Sequence, residues 1–467
     1  MVASDVAQWL VVNTQSQAGS LSHMGQIEKA IDQACREVRR LALEHLVQQV
    51  ADYQPFDCPL CRKPLTVVAH RRLRGVDSSF GTIQFRRSYG FCNGCQDHFY
   101  PADAALGLQP RAHSSPRLQE ICALTTLRAP AGQAEEDVVR LTGIAVGAST
   151  LHREARRQGE RALRLRDADE RLAQTAEGIA KLAGRAPHLP KHATLVIEID
   201  AWNIRERDNW GKTQALRKRG EDTGRWHWVY TGTVFRLDQR GTTASGRPMI
   251  TERGYVATRR GIDSFQPQLY AEALQRGLLE AKTVLLLADG AIWIWNLAAD
   301  RFKDARQRVD LHHVQEHLWN LANELYGQGT PEAKQWVRPY LQWLEKRNNG
   351  ALDVIGDLEQ LRHNIEQFSK KERAAIAREL EYFQQHKHRM DYKTGKALGQ
   401  PVGSGAIEST CSQYQRRFKL TGQFWTLAGD EAFLALATLH RNGRWNQLFP
   451  QDASESPQAR SSKPLRN

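Results

Sequence analysis

Hydrophobic residues recur at helical spacing in the first part of the chain and give way to strand-like runs near residue 193. The elements predicted before that point are one long amphipathic helix (20–50), a cysteine-rich module (55–101), three short helices (114–160), a charged helical stretch (to about 183) and a linker (184–192). The linker contains Pro187 and Pro190, which disfavour regular backbone hydrogen bonding. The pattern therefore predicts a change from helical to sheet-based architecture at about residue 193.

From residue 193 onward the predicted order is three strands, helix, strand, helix, strand and helix. The strands are expected at 193–204, 226–237, 250–258, 282–288 and 307–311, and the helices at 265–281, at 292–302 and from 312. Residues 314–395 are rich in Glu, Lys, Arg, Gln and Leu and are predicted to be almost wholly helical, with two further helices within 403–440. A mixed sheet with helices packed on its faces satisfies this order, so the predicted fold class is α/β.

Charge and composition indicate the kind of partner. The 467 residues carry a net charge of +13, and the sequence pI is near 9.5, which favours a polyanion such as DNA. No apolar run approaches the ~18 residues that a membrane span needs. The N-terminus lacks the basic and apolar regions of a secretory signal. We therefore expect a cytoplasmic protein without a membrane partner, ending in a disordered, Ser- and Pro-rich tail.

Four of the seven cysteines form two Cys-x2-Cys pairs, Cys58 with Cys61 and Cys92 with Cys95. Each pair can present two thiolates to one tetrahedral Zn²⁺, and the runs between the pairs are hairpin-like, as a zinc ribbon requires. In a cytosolic chain this spacing indicates metal more than disulfides. A structural zinc is predicted, with a redox dithiol or unrelated cysteines as alternatives. The role of the ribbon stays open between DNA binding, a folding nucleus and a dimer contact.

Residues 134–158 resemble a helix-turn-helix. Ala134–Leu141 is the predicted first helix, Thr142 and Gly143 the turn, and Ala148–Gln158 the recognition helix. The residues expected to meet base edges are Ser149, Thr150 and Arg153, and those expected to meet phosphates are Arg156 and Arg157. The alternative is a charged amphipathic helix pair that makes no DNA contact.

Three acids have settings typical of a catalytic site. Asp289 ends an apolar run and precedes Gly290, Asp200 ends the run 195–199, and Glu408 lies in a glycine-flanked helix start. Two aspartates and a distant glutamate are the minimum set for two divalent ions, Mg²⁺ or Mn²⁺, acting on a phosphodiester. Taken singly, each acid is more commonly an ordinary strand-end or helix-end residue.

Two further groups are candidates for the same site. Asp310 and His313 share one face at a helix start, where they would orient a phosphate or donate a proton; helix capping is the alternative. Basic residues follow both the first strand and Glu408, and they are expected either to line a DNA backbone or to be solvated loop charge: Arg205, Arg207, Lys212, Arg217, Lys218, Arg219, Arg416, Arg417 and Lys419.

Together these blocks resemble bacterial insertion-sequence transposases of the Kra group. The resemblance covers about residues 50–445 and is carried by the cysteine knuckles ahead of 102–108, by 288–295, by Asp310-x2-His313 with Glu316-His317-Leu318, by 403–410 and by 421–425. It implies a DDE enzyme with an RNase H-like core, in which Asp200, Asp289 and Glu408 bind the catalytic metal. Glu198 and Asp208 are alternatives for the first acid.

The resemblance also implies a complete activity. The chain would bind the ends of its own mobile element through the ribbon and helix-turn-helix, cleave a strand with Mg²⁺-activated water, and join the freed 3′-hydroxyl to target DNA. Synapsis of two ends implies at least a homodimer. A structure-specific nuclease and a catalytically inactive zinc-containing regulator stay open.

The implied domains follow the chain in seven segments. They are an N-terminal helical region (1–54), a zinc ribbon (55–110), a helix-turn-helix region with linker (111–192), the first part of the core (193–313), a helical insertion (314–400), the last part of the core (401–450) and the tail (451–467).

Overall fold

The chain forms two units, residues 1–158 with 446–467 and residues 159–445. Both kinds of architecture that the hydrophobic pattern predicts are present, a unit of helices with a small antiparallel sheet and a unit built on a mixed sheet. The computed structural model describes Gln8, Val12 and residues 23–450 apart from Arg111 and Asp222. The predicted tail at 451–467 lies outside the described residues.

The first unit holds the cysteine-rich module. Its elements are α1 (Met24–Tyr53), β1 (Thr66–Ser78), β2 (Gly81–Cys92), β3 (Asp97–Phe99), α2 (Pro101–Ala105), α3 (Pro116–Arg128), α4 (Ala131–Thr142) and the first part of α5 (Ala148–Leu172). The strands form an antiparallel sheet in the order β1-β2-β3, and α1 packs along β2. There Leu43 and Val47 cover the buried Ile83 and Phe85. The predicted long helix and hairpin are confirmed.

Helices α3, α4 and α5 enclose a small core that includes Leu118, Cys122, Val138 and Leu151. The sequence predicts that the third of these helices ends near residue 160. Instead α5 continues to Leu172, because no proline interrupts its charged sequence.

The second unit contains the larger sheet. Its strands are β4 (Thr194–Arg205), β5 (Trp226–Arg236), β6 (Arg240–Thr242), β7 (Pro248–Ile250), β8 (Gly254–Thr258), β9 (Thr283–Ala288) and β10 (Arg306–Val309). Its helices after α5 are α6 (Ala176–Ala183), α7 (Thr213–Arg219), α8 (Ile262–Gln275), α9 (Ile292–Arg301), α10 (Leu311–Tyr326), α11 (Pro331–Lys346), α12 (Gly350–His363), α13 (Lys370–His386), α14 (Tyr392–Ala397), α15 (Gly405–Phe418) and α16 (Leu427–Arg441). Among the helices that the structure describes, none is both long and apolar enough to cross a membrane.

The mixed sheet has the order β10-β9-β4-β5-β8. Strand β5 is antiparallel to both of its neighbours, β4 and β8, whereas β9 and β10 run parallel to β4. The sequence predicts a single strand over 250–258, but this run is split. Ile250 pairs with Arg240 in a separate two-stranded ribbon, and Thr251 N–H then bonds to Gln239 O, which turns the chain away before β8 begins at Gly254.

The sheet and the helical insertion share one hydrophobic core. Side chains alternate along a strand, so Leu195, Ile197 and Ile199 of β4 enter this core together. Helices α10 to α13 contribute to the same core, for example through Leu318 and Phe383, and α13 packs back on α10. The predicted helical block is therefore confirmed. It interrupts the sheet in chain order but shares one hydrophobic core with it.

A buried acidic cluster lies where α16 begins. Asp430 is fully buried, and Glu206 and Glu431 beside it are nearly so. Arg259 donates to Glu206 and Arg166 donates to Glu431, so those two carboxylates have cationic partners. Burial, and after it the negative charges of Glu206 and Glu431, raise the pKa of Asp430 to about 9. Asp430 therefore keeps its proton in the folded chain at neutral pH.

This proton makes stability depend on pH. Because the folded pKa lies above the usual value near 4, the contribution of Asp430 to stability is full below about pH 4 and is lost as the pH rises to about 9. Asp430→Asn should remove that loss and raise the free energy of unfolding at pH 8 by at least about 1 kcal/mol. Urea unfolding followed by tryptophan fluorescence at pH 5 to 9 measures the difference. Asp304→Asn, at an exposed aspartate, is the control; equal pH profiles for all three proteins would contradict the shifted pKa.

Candidate functional site

Four cysteine sulfurs converge in the first unit. The Sγ atoms of Cys58 and Cys95 are 3.8 Å apart, those of Cys61 and Cys92 are 3.4 Å apart, and all four lie within 4.8 Å of one another. With Zn–S bonds near 2.3 Å, the sulfurs of a tetrahedral zinc site stand about 3.8 Å apart. The cluster can therefore hold a structural zinc, and its position at the ends of the hairpin is compatible with a zinc ribbon.

Both cysteine knuckles use the same turn. Arg62 N–H donates to Cys58 O at 2.9 Å, and Gln96 N–H donates to Cys92 O at 2.8 Å. Arg62 and Gln96 have φ values of 62° and 54°, an uncommon backbone region for residues other than glycine. The N–H of Cys95 also approaches Cys92 Sγ at 3.4 Å, and this contact lowers the pKa of the Cys92 thiol to about 7. This contact therefore favours the thiolate of Cys92, the form that zinc binds, whereas the neighbouring thiols raise the pKa of Cys95.

In the second unit, three acids stand side by side at one edge of the mixed sheet. In the parallel strands β4, β9 and β10, Ile199, Ala288 and Val309 occupy paired positions. Each of the three acids, Asp200, Asp289 and Asp310, is the next residue along its chain segment. Asp289 directly follows its strand, as predicted, and Asp310 follows a strand that ends at Val309, two residues before the predicted end at 311. Asp200 lies within β4, in agreement with the strand predicted over 193–204, and β4 continues to Arg205 because β5 pairs with it throughout while β9 stops at Ala288.

Helix α15 is fastened to this edge by two buried carboxylates. Glu198 accepts a hydrogen bond from Ile407 N–H at 2.8 Å, and Asp310 accepts one from Ser404 N–H. The two acids are 1% and 0% exposed, and burial raises the pKa of Glu198 to about 8. These bonds hold the first turn of α15 against the sheet, and Glu408 lies in that turn.

The predicted triad occupies this edge. Burial raises the pKa of Asp200, and the negative charge of Asp289 adds to the rise. The Cys411 thiol lies against Asp200, one turn after Glu408 on α15. Glu408 is exposed and accepts a hydrogen bond from Ser404 Oγ at 3.0 Å. Because Asp200 and Asp289 are both partly exposed, all three carboxylates are open to ions from solvent.

The spacing of these acids bears on how many ions they fit. Among the described residues, the cysteine cluster is the group in which three or more potential ligand atoms lie within 4.8 Å of one another. The carboxylates of Asp200, Asp289 and Glu408 are therefore too widely spaced for a preformed single-ion site. All three side chains offer the oxygen ligands that Mg²⁺ prefers.

The two alternatives for the first acid have other contacts. Glu198 is committed to the backbone of α15. Asp208 is exposed between β4 and β5 and accepts a hydrogen bond from Leu427 N–H at 2.7 Å, at the start of α16. Asp200 interacts with Asp289. These contacts support Asp200 as the first acid of the set.

Asp310 and His313 lie at the start of α10. Asp310 Oδ1 accepts hydrogen bonds from His312 N–H at 2.6 Å and His313 N–H at 3.1 Å, so Asp310 caps the helix. The His313 Nδ1 atom is 3.6 Å from Asp310 Oδ1, and Asp310 raises the pKa of His313 to about 9. The His313 side chain is 40% exposed. It is therefore a cation that can meet an anionic ligand beside Asp289, while Asp310 positions it.

Side chains of the helical insertion reach the same edge, which the sequence does not predict. A Cβ atom at Gly290 would lie 3.2 Å from Tyr382 Oη and 3.6 Å from His386 Nε2. Gly290 also has a φ of +107°, so its backbone favours glycine, and its neighbours leave little room for a side chain. His317 stacks on Tyr382 with ring centroids 3.6 Å apart. No local pattern signals these residues, because only the packing of α13 brings them to Asp289.

The residues predicted to contact DNA on α5 lie mainly on its exposed face. Ser149, Arg153 and Arg156 are exposed, and Arg153 donates to Thr150 Oγ1 at 3.1 Å. Arg157 is partly buried and lies 3.5 Å from the buried Glu154. The connection between the helices spans 143–147, because α4 includes Thr142 and ends at Gly143 with a φ of +63°. The predicted two-residue turn is therefore too short.

The basic residues after Glu408 differ in their surroundings. Arg416 is exposed. Arg417 lies over the rings of Trp425 and Phe433, and burial lowers its pKa to about 10. Lys419 Nζ lies 5.6 Å from the ring of Trp202. Arg416 and Lys419 are exposed to solvent, whereas Arg417 is largely committed to packing.

Comparison of the sequence with models of known protein families and with curated proteins finds no match. Any functional assignment therefore depends on the residues and geometry described above.

Zinc content tests the cysteine cluster. Purified protein should contain about one zinc ion per chain by plasma mass spectrometry, because four thiolates complete one tetrahedral site. Cys92→Ser should lose most of that zinc and lower the thermal unfolding temperature of the first unit, since structural zinc binding is coupled to folding. Cys35→Ser, outside the cluster, is the matched control. Full zinc occupancy in Cys92→Ser would contradict the site.

Divalent-ion binding tests the acid set separately. Mn²⁺ affinity should fall by more than about tenfold in Asp289→Asn, because even changes around metal ligands have effects of that size. Titration calorimetry on the zinc-loaded protein gives the affinity. Asp304→Asn should bind Mn²⁺ like the unmodified protein, and equal affinities for all three would remove Asp289 from the site.

Proposed function

We propose that this protein is a DDE transposase that catalyses Mg²⁺- or Mn²⁺-dependent DNA strand cleavage and strand transfer for an insertion sequence. The observation that carries the proposal is the register of β4 against β9. It puts Asp200 and Asp289 side by side at one edge of the sheet, next to the helix that bears Glu408.

The strand order supports an RNase H-like core. Three antiparallel strands come first, and the two later strands then join the other side of β4 in parallel. Helices connect β8 to β9 and β9 to β10, as crossovers between parallel strands require. The long helical block between Asp289 and Glu408 fits the insertion that the resemblance to Kra-group transposases implies.

The residues of the edge have separate roles in this proposal. When bound, two divalent ions activate a water or a 3′-hydroxyl and offset the charge that develops on the scissile phosphate. Asp200, Asp289 and Glu408 would hold the ions. His313, a cation beside Asp289, would contact the phosphate. Asp310 positions His313 and, through Ser404 N–H, the helix that carries Glu408.

The first unit supplies features suited to DNA binding. The exposed Ser149, Arg153 and Arg156 on α5 form a polar, basic helix face of the kind that enters a major groove. The net charge of +13 favours phosphate contacts in general. We propose that this helix face and the cysteine-rich module recognise the DNA ends of the element. We also propose that the chain is cytoplasmic and that two or more copies of it hold two such ends together.

Cleavage of labelled DNA carrying the ends of the element tests the proposal. With Mg²⁺, the unmodified protein should nick the strand and then form branched or integrated products. Asp289→Asn should lower cleavage by at least about a hundredfold while DNA binding persists, since it removes a metal ligand. Asp304→Asn, which changes an exposed aspartate before β10, should cleave normally.

Each other outcome assigns a different function. Asp289-dependent nicking without joined products would identify a structure-specific nuclease. Binding without any metal-dependent cleavage would identify a zinc-containing regulator, and equal cleavage by Asp289→Asn would remove the acid triad from the mechanism.

A further inference from the structure

Two tryptophans are exposed where β4 and β5 extend past the acid-bearing edge of the sheet. Strand β9 pairs with β4 only as far as Ile199, whereas β5 pairs with β4 up to Arg205. Trp226 lies opposite Arg205 in this ladder, and Trp228 lies opposite Asn203. Residues two apart on a strand share one face, so both rings are on the same side of the ribbon. They are 58% and 53% exposed, and both are therefore open to a ligand from solvent.

The sequence block 421–425 adds a third aromatic ring to this face. Trp425 pairs with Glu206 beside the end of β4, and its ring is buried against Phe418. Phe424 instead contacts Trp210, with ring centroids 4.5 Å apart, and Trp210 is 41% exposed. The block therefore has two roles, because Trp425 belongs to the core and Phe424 to the surface.

Arg205 joins these rings into one surface. Its guanidinium carbon lies 4.7 Å from the ring centroid of Phe424 and 5.7 Å from that of Trp226. Such contacts stabilise a cation over aromatic rings. The surface formed by Arg205, Trp210, Trp226, Trp228 and Phe424 is called the aromatic platform below. It combines exposed apolar rings with a positive charge held between them.

The chain around the platform is basic. Residues 205–225 contain seven Arg and Lys residues against four acidic residues. Beyond Arg205, all of these cationic side chains are exposed: Arg207, Lys212, Arg217, Lys218, Arg219 and Arg225. The core of a protein–protein interface is depleted of charge, and Lys in particular is scarce there. Flat rings bordered by many cations instead suit single-stranded nucleic acid, in which phosphates alternate with bases that can stack.

The platform lies beside the acid set and not within it. Side chains alternate along β4, so Asp200 and Arg205 lie on opposite faces of the strand. Tyr230 follows Trp228 on the platform face and contacts Trp293, which is four residues after Asp289. Asp200 pairs with Thr231, so Trp228 is three residues, or about 10 Å, farther along the ribbon. A strand whose phosphate meets the acids can thus reach the platform within a few nucleotides.

We propose that the aromatic platform binds unpaired DNA bases near the cleavage site, by stacking on Trp226 and Trp228. In a duplex the neighbouring base pairs cover the face of each base, so only an unpaired base can stack on these rings. Every base has such a face, and the contact therefore requires no particular sequence. This inference rests on the proposed function for the choice of DNA and for the position of the cleavage site.

Binding of single-stranded DNA in metal-free buffer tests the platform. The two probes are a labelled oligothymidylate and an abasic strand with the same number of phosphates, and fluorescence anisotropy gives both affinities. The unmodified protein should prefer the oligothymidylate by at least about fivefold, because stacking of one base on an aromatic side chain has at least that effect. The double variant Trp226→Ala, Trp228→Ala should lose this preference. Its affinity for the abasic strand should not change, since the phosphate contacts remain.

Two control variants separate stacking from other effects of the substitutions. Replacing both tryptophans by Phe should keep most of the preference, because aromatic rings remain. Tyr326→Ala removes an exposed aromatic residue at the far end of α10 and should keep all of it. An unmodified protein that binds both probes equally would overturn the inference. A double Ala variant that keeps the preference but no longer self-associates in sedimentation would assign this face to contacts between copies of the chain, which also overturns it.

The binding assay requires no cleavage, so this inference and the proposed function can fail separately. Asp289-dependent cleavage, together with a base preference that the double Ala variant retains, would overturn the platform alone. A base preference that depends on the two tryptophans, in a protein that cleaves no DNA, would overturn the proposed function. The platform would then stand as a surface that binds single-stranded DNA.

Discussion

The arrangement of the acid site depends on two backbone N–H groups in and before the first turn of α15. Glu198 on β4 binds the N–H of Ile407, and Asp310 after β10 binds the N–H of Ser404. Both carboxylates are buried, so the bonds form where they are electrostatically strong and where loss of a partner is costly. Together with the packing of Ala406 on the sheet, they fix where Glu408 stands, although more than one hundred residues separate it from Asp289.

The edge of the sheet concentrates negative charge in a chain whose net charge is +13. Burial raises the pKa of Glu198 to about 8, so a bound proton suppresses part of this charge at neutral pH, and burial also raises the pKa of Asp200. Divalent ions would offset the same repulsion and release that proton. In the proposed function, the fastening of α15 and the binding of metal would therefore be electrostatically linked through Glu198, which interacts with both Asp310 and Glu408.

The helical insertion belongs physically to the sheet that it interrupts. Its helices share a core with β4, and its α13 brings Tyr382 and His386 to Gly290. Two features therefore favour glycine at position 290. Its backbone has a positive φ, and side chains from a distant helix lie close to it. A change in the packing of α13 would displace the loop that carries Asp289, because close-packed interiors transmit displacements. This coupling explains how a block predicted only as helical can contribute to the site.

Local patterns in the sequence determined the helices, most strands, the cysteine cluster and the apolar runs that end at the acids, because periodicity and Cys-x2-Cys spacing act over a few residues. They also predicted that Asp289 follows a strand and that the strand bearing Asp200 continues past it. Tertiary structure alone decided that β10 ends before Asp310, that Glu198 anchors α15 and that Tyr382 meets Gly290. These features depend on strand register and on contacts between residues about ninety or more positions apart, which no local pattern encodes.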